Sequence, residues 1–81
     1  MNTADVERLI EEGVRDARAE VRTPRNPDDD AHFAAVVVSP AFEGESLVER
    51  HQRVHDALGE HMTEEIHAIE LTTYTPEEYE D

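Results

Sequence analysis

Residues 42–58 read FEGESLVERHQRVHDAL, and this stretch decides the fold of the chain. Gly44 gives the backbone the freedom that a tight turn needs. Ser46 followed by Glu49 three residues later is the pattern of a capping box, in which two side chains satisfy backbone N–H groups at the start of a helix. Helical spacing then predicts one core-facing stripe, made of Leu47, His51, Val54 and Leu58. The stretch therefore predicts a turn followed by a capped amphipathic helix.

Basic side chains accompany the stripe on the same helix. Arg50 and Arg53 are directed away from its centre, while His51 and His55 are four residues apart and share a face. Zinc proteases use two histidines at this spacing, but their motif places a glutamate directly after the first histidine, where this chain has Gln52. The helix therefore does not carry a protease signature.

The N-terminal part of the chain predicts a helix and an edge strand. The helix begins near Thr3, with Thr3 or Asn2 as its cap, and frays at Gly13. Small or apolar residues then alternate with charged ones over 17–23, which is the pattern of a strand with one wet face. We expect this strand to lie at or near the edge of a sheet.

A central strand is predicted immediately before the stretch. The polar loop over 24–30 suits neither a helix nor a ladder, because it contains prolines and a run of aspartates. From His32 or Phe33 to Ser39 the chain is almost wholly apolar, as expected of a strand covered by helices on one face or on both. Pro40 ends it.

The chain after the stretch predicts a short helix over 60–65, a third strand over 66–73 and a terminal helix that starts at 75–78. The third strand has His67 on its apolar side. The resulting order is α-β-β-α-(α)-β-(α), which predicts one α+β domain over 1–81. We expect a two-layer sandwich in which helices cover a three-stranded sheet.

Composition narrows the function classes. The chain of 81 residues has 21 acidic and seven basic side chains, a formal net charge of −14, and no cysteine. Such an acid excess favours a salt-rich, halophilic setting, with a basic partner as the alternative, and opposes sequence-independent attachment to DNA. Without cysteine, disulfides, thiolate catalysis and self-contained iron-sulfur ligation are excluded. No leader or membrane span is predicted, so we expect a cytoplasmic protein.

Several motifs, in this order and spacing, make the chain resemble the BolA family over nearly its whole length. They are His32-Phe33, Val37-Val38-Ser39, Phe42-Glu43-Gly44-Glu45-Ser46, Arg50-His51-Gln52-Arg53-Val54-His55, Ile66-His67-Ala68-Ile69 and Thr75-Pro76-Glu77-Glu78-Tyr79. The resemblance implies a class II KH-like fold, in agreement with the element order above. It also implies binding rather than catalysis, and no triad, phosphate loop or closed zinc site in the sequence argues for an enzyme.

The resemblance implies two binding functions. One is partnership with a monothiol glutaredoxin, in which the two proteins share a [2Fe-2S] cluster and the BolA-like protein supplies histidine. His67 matches the family's histidine motif and is the expected ligand, since imidazole lowers the negative charge of a cluster that is to be handed on. The alternative for His67 is simple packing at the start of a strand. The second function is nucleic-acid binding and transcriptional regulation, and alone the chain is expected to be a monomer or a weak homodimer.

Other residues carry weaker expectations. Many family members have a histidine or cysteine in the loop between the first two strands, which this chain lacks, so either His32 takes over or the chain contributes only His67, with or without His51. His51 alternatively bonds a carbonyl in the core. Gly44, Arg50 and Arg53 are candidate contacts for a partner or for phosphate, although the Gly-x-x-Gly loop of KH proteins is absent and the arginines alternatively pair with neighbouring acids such as Glu49.

Overall fold

The computed structural model describes residues 1–80, except for the side chain of Thr63, and the elements follow the predicted order. Helix α1 spans Thr3–Gly13, strands β1 and β2 span Arg18–Arg22 and His32–Val38, and a 3-10 turn spans Pro40–Phe42. Helices α2 and α3 span Leu47–Leu58 and His61–Glu64, strand β3 spans Ala68–Tyr74, and helix α4 spans Pro76–Glu80.

The sheet has the order β1-β2-β3, so the apolar strand β2 is central and β1 is an edge strand, as predicted. β1 pairs with β2 antiparallel, whereas β3 pairs with β2 parallel in a register that sets His32 opposite Ala68 and Val38 opposite Tyr74. Parallel strands need a long crossover, which α2 and α3 provide here. The predicted α+β architecture with a three-stranded sheet is therefore confirmed, and the sheet is mixed.

The core lies between one face of the sheet and helices α1 and α2. It is formed mainly by Val6, Ile10, Val14, Phe33, Ala35, Val37, Phe42, Val54, Leu58 and Ile66. The opposite face carries no long helix; there Tyr79 of α4 lies against Tyr74, with 5.4 Å between the ring centroids. The two layers therefore leave one face of the sheet largely open.

The start of α2 has the predicted capping box. Ser46 Oγ accepts a hydrogen bond from Glu49 N at 3.2 Å, and Glu49 Oε1 accepts one from Ser46 N at 2.8 Å. Gly44 has a φ of 77°, in the region that favours glycine, which confirms its role in the turn. The prediction that Leu47 faces the core is wrong, because 63% of it is exposed: the first turn of α2 extends beyond the packed layer.

Gly13 has a different role from the predicted fraying end. It closes α1 where α1 crosses α2, and a Cβ added at this position would overlap the Cβ of Ala57. Glycine here therefore lets the two helices approach closely, and the end of α1 is a packed contact.

Carboxylates of α1 occupy the outer edge of β1. Glu7 Oε2 accepts a hydrogen bond from Val21 N at 2.9 Å, and Glu11 Oε2 accepts one from Ala19 N at 3.0 Å. Both N–H groups point away from β2 because their neighbours in β1 form the ladder. The sequence gives no sign of these bonds, since both glutamates read as solvent-facing residues of α1.

Ser39 links three segments at the end of β2. It is fully buried, its Oγ donates to Arg15 O at 2.5 Å, and the same Oγ accepts from Ala41 N at 3.0 Å. Its backbone N donates to Tyr74 O at 3.0 Å, so the residue also terminates the β2–β3 ladder. Ser39 thus fixes the loop after α1 and the 3-10 turn to the end of the sheet.

The short helix α4 is held to α2 by an ion pair. Arg50 donates to the two carboxylate oxygens of Glu78 at 2.8 and 3.4 Å. Glu78 also caps α4, because its Oε1 accepts from Thr75 N at 2.8 Å while Thr75 Oγ1 accepts from Glu78 N at 3.2 Å. The hydrogen bonds from Arg50 and from the Thr75 backbone lower the pKa of Glu78 to about 2.

We expect Ser39→Ala to lower the free energy of unfolding by about 1–3 kcal/mol, because it leaves the Arg15 carbonyl and the Ala41 N–H of two part-buried hydrogen bonds without their partner. Urea unfolding followed by circular dichroism measures the change. Thr72→Ala, on the open face of the sheet, is the control and should stay within about 0.5 kcal/mol of the parent. Equal midpoints for the two variants would contradict this role of Ser39.

The pairing of Glu78 predicts a pH-dependent stability. A carboxyl with a lowered pKa stabilises the folded state above its ordinary value of 4.5, and this contribution disappears as the pH falls toward about 2. The stability gap between the parent and Glu78→Gln should therefore shrink between about pH 5 and about pH 2. Glu77→Gln is the matched control and should show no such convergence; a Glu78 gap that is constant over this range argues against the ion pair.

Candidate functional site

His67 lies on a bend directly before β3. Ile66 is fully buried and His67 is exposed, and the backbone N of His67 donates to Ala31 O at 2.8 Å. The prediction that His67 lies in the strand on its apolar side is wrong, because β3 begins only at Ala68 and the bend reverses the expected alternation. The consequence is an imidazole that solvent and a partner can reach.

His32 is the first residue of β2 and lies beside His67. The register sets His32 opposite Ala68, and the two imidazole rings meet edge to face with their centroids 5.8 Å apart. Asp29 orients the ring of His32, because its Oδ2 lies 3.0 Å from His32 Nδ1. A histidine whose Nδ1 donates to a carboxylate presents Nε2 as a ready metal ligand. The structure thus brings together two of the three histidines considered as metal ligands.

Asp29 is the site residue that the sequence did not single out. Its Oδ1 accepts from Ala31 N at 2.9 Å and from His32 N at 3.1 Å. The hydrogen bond from Ala31, followed by those from His32, lowers the pKa of Asp29. The available signal was an aspartate three residues before a histidine, but it was hidden within a run of three aspartates.

His51 lies apart from this pair. It is partly buried on α2, and its Nε2 is buried without a hydrogen-bond partner among the described residues. Within residues 1–80, no group of three or more histidine, aspartate or glutamate side chains is arranged to hold a metal ion. His51 therefore does not complete a three-residue site with His32 and His67.

Arg50 and Arg53 are engaged within the chain. Arg53 makes a bidentate pair with Glu45, at 2.5 Å from Nε and 2.8 Å from Nη2, which lowers the pKa of Glu45 and raises that of Arg53. Arg50 binds Glu78, as described above, and its guanidinium lies 5.9 Å from the ring centroid of Phe42. Both arginines thus have acidic partners, but these are not Glu49, whose side chain caps α2 instead.

Gly44 and Arg50 line one shallow cleft of about 390 Å³. The same cleft is lined by Glu43, Glu77 and Glu78. Arg50 is the one guanidinium among the described lining residues and is already paired, so the lining has an excess of carboxylates, which is unfavourable for a phosphate. This cleft is better suited to a basic group than to a nucleic-acid backbone.

The paired histidines can hold part of a metal group. They offer two imidazoles at most, and the chain has no thiolate. A [2Fe-2S] cluster takes four protein ligands, and mixed histidine and cysteine ligation occurs in such clusters. The residues present therefore fit a cluster whose remaining ligands come from another molecule, and they do not fit one held by this chain alone.

The remaining arginines form a separate group around β1. Arg15, Arg18, Arg22 and Arg25 are exposed and have no ion pair within residues 1–80. Among the described residues, these are the arginines whose positive charge has no ion-pair partner. No helix in that part of the chain, or elsewhere in residues 1–80, is long and apolar enough to cross a membrane.

Comparison with known proteins identifies relatives over most of the chain. The family model described as BolA-like protein matches residues 9–78. The DNA-binding transcriptional regulator BolA of Haemophilus influenzae is 41% identical over 54 residues, which are 67% of this chain and 52% of that protein. SufE-like protein 1, chloroplastic/mitochondrial, of Arabidopsis thaliana is 38% identical over 60 residues, which are 74% of this chain and 16% of that protein. The chain thus spans about half the length of the first relative and a small part of the second.

A solved structure extends the likeness to the whole chain. The bolA protein homologue from Coxiella burnetii is 43% identical, with a TM-score of 0.87 over 100% of this chain and 99% of the other. This agreement confirms the α+β, class II KH-like fold that the resemblance implied. The sequence match and the fold agree: the chain belongs to the BolA-like family, whose members are regulators or adaptors rather than enzymes.

Proposed function

We propose that this protein is a cytoplasmic adaptor that binds a monothiol glutaredoxin and shares a [2Fe-2S] cluster with it, in iron-sulfur trafficking or iron sensing. The observation that supports the proposal best is the contact between His67, which is exposed, and His32, which Asp29 orients. An exposed imidazole pair without a third ligand suits a metal group completed by a partner.

In this proposal His32 supplies the second ligand, which the loop between the first two strands does not provide. That loop has neither histidine nor cysteine, but its last part carries Asp29, and His32 follows at once. The side chain of Asp29 bonds both the backbone and the ring of His32, so the loop positions this histidine instead of contributing a ligand itself. His67 is the primary ligand in this proposal, and His32 is the second.

The chemistry of the donors agrees with a transfer role. When bound, the cluster supplies the redox-active and transferable iron, and an imidazole ligand leaves it less negative than a thiolate would. His32 is held by the strand pairing at the start of β2, and the backbone N of His67 bonds Ala31 O directly before β3, so the sheet sets the spacing of the two rings. His51 is left out, since its Nε2 is buried.

Reconstitution of the cluster with a monothiol glutaredoxin tests this proposal. We expect a histidine-ligated visible circular dichroism spectrum with the parent chain, its loss in His67→Ala, and cluster loss about tenfold faster in His32→Ala and in Asp29→Asn. His55→Ala, on α2, is the matched control and should behave as the parent. If His67→Ala retains the parent spectrum, or if the parent does not alter the partner's cluster, the proposal is wrong.

Nucleic-acid binding is the second candidate. The Haemophilus influenzae relative is named as a DNA-binding transcriptional regulator, and four arginines around β1 have no ion pair within residues 1–80. Against it stand the net charge of −14, the pairing of Arg50 and Arg53, and the acidic cleft beside Gly44. We therefore rank it below the adaptor.

The salt dependence of DNA binding separates the two candidates. If the β1 arginines bind phosphate, the affinity for duplex DNA should fall steeply with salt, and the double variant Arg22→Gln, Arg25→Gln should reduce the slope by about two counterions. Fluorescence anisotropy with a labelled duplex measures both. Arg53→Gln is the control and should leave the slope unchanged. The absence of binding at about 50 mM salt would remove this candidate.

A further inference from the structure

The outer edge of β3 presents backbone groups that the fold does not use. In the parallel pairing of β2 with β3, Ala68 N donates to Ala31 O at 3.3 Å and Tyr74 O accepts from Ser39 N at 3.0 Å. The even-numbered residues of β3 therefore direct their backbone groups toward β2. Because backbone direction alternates along a strand, Ile69, Leu71 and Thr73 direct theirs away from the sheet.

The two edges of the sheet differ in this respect. At the β1 edge, Glu7 and Glu11 occupy the outward N–H groups of Val21 and Ala19. At the β3 edge, no hydrogen bond to the outward N–H groups is formed within residues 1–80. An edge with free, regularly spaced N–H and C=O groups is a template for an added strand, whereas an occupied edge is not.

Within residues 1–80, no strand pairs with the outer edge of β3. Ala68, Glu70 and Thr72 are exposed on the open face of the sheet, where Tyr79 of α4 lies against Tyr74. At the edge itself, the outward N–H groups of Ile69 and Leu71 have no hydrogen-bond partner within residues 1–80, and both side chains are only partly buried.

The side chains along this edge determine which kind of strand can be added to the sheet. Ile69 and Leu71 are partly buried on the helix side of the sheet, so an added strand with apolar residues on that side would extend the core. Glu70 is exposed on the other side, where a cation would find an unpaired carboxylate. On that face Arg22 of β1 lies in the same row, across Ala34 of β2, and it makes no ion pair with Glu70 among the described residues.

We propose that the outer edge of β3 accepts an extended segment of another protein in which apolar residues alternate with Lys or Arg. The charge of the chain selects such a partner over a second copy, since two copies would bring two net charges of −14 together. Main-chain hydrogen bonds supply the contact, and the alternation of basic and apolar residues supplies the register. The proposal does not depend on metal ligation by His67.

A capped peptide of about nine residues alternating Lys and Val is the probe, with amide hydrogen exchange followed residue by residue. In the free protein the Ile69 and Leu71 amides should exchange fast. With the peptide they should be protected at least about tenfold, while those of Ala19 and Val21 should not change. Two further peptides of equal charge serve as controls, one N-methylated on all valines and one N-methylated on all lysines. In an added strand, only one of these two sets of N–H groups faces β3. One of the two peptides should therefore lose binding, while the other should keep it.

A matched pair of variants tests the role of charge. Glu70→Arg should weaken the peptide's affinity by about fivefold, whereas Glu12→Arg, an exposed site on α1 with the same change in net charge, should alter it less than twofold. Equal binding of the two methylated peptides, or equal effects of the two variants, would indicate only non-specific electrostatic attraction between the peptide and the acidic chain. Either result would overturn the proposal. Protection of Ile69 and Leu71 in the free chain, together with a dimer in sedimentation, would overturn it in favour of a second copy.

Discussion

The parallel pairing of β2 with β3 is the interaction on which the site depends. It sets His32 opposite Ala68, and since His67 precedes Ala68 on a bend, the two imidazoles meet at the same end of the sheet. At the other end the pairing stops at Ser39, whose buried hydroxyl holds two further segments. A shift of this register by one residue would reverse the faces of β3 and separate the histidines.

Local patterns predicted much of the fold. The capping box at Ser46 and the turn at Gly44 depend on residues three or four positions apart. The apolar run of β2 by itself indicates a central strand. All three features were therefore predicted correctly from the sequence. Errors arose where the outcome depends on distant contacts. Leu47 has the helical spacing of the core residues of α2 but lies beyond the packed layer. Gly13 contacts α2, and no local sequence pattern indicates this contact.

The candidate site shows the same division. A resemblance in motif singled out His67, but its exposure follows from a bend that interrupts the strand pattern, and its approach to His32 follows from strand register. Asp29 was missed because its role needs the three-dimensional path of the loop. Partners of Arg50 and Arg53 were expected among nearby acids, whereas Glu78 comes from the far end of the chain.

Charge is distributed unevenly despite the overall acid excess. The arginines of α2 bind Glu45 and Glu78 and so fasten the turn and the last helix, whereas the arginines around β1 have no ion pair among the described residues. The net charge therefore does not describe the electrostatic field close to the surface, because that field depends on whether each nearby arginine is ion-paired. The interpretation of the acid excess as adaptation to concentrated salt stays a prediction from composition.

The carboxylates on the β1 edge have a consequence for stoichiometry. A sheet with two open edges can add strands on both sides, so its copies can join into a growing ribbon. With Glu7 and Glu11 on the N–H groups of β1, strand addition at this sheet stops after one event. Strand addition at β3, as proposed, would thereby end in a pairwise complex and not in a growing ribbon.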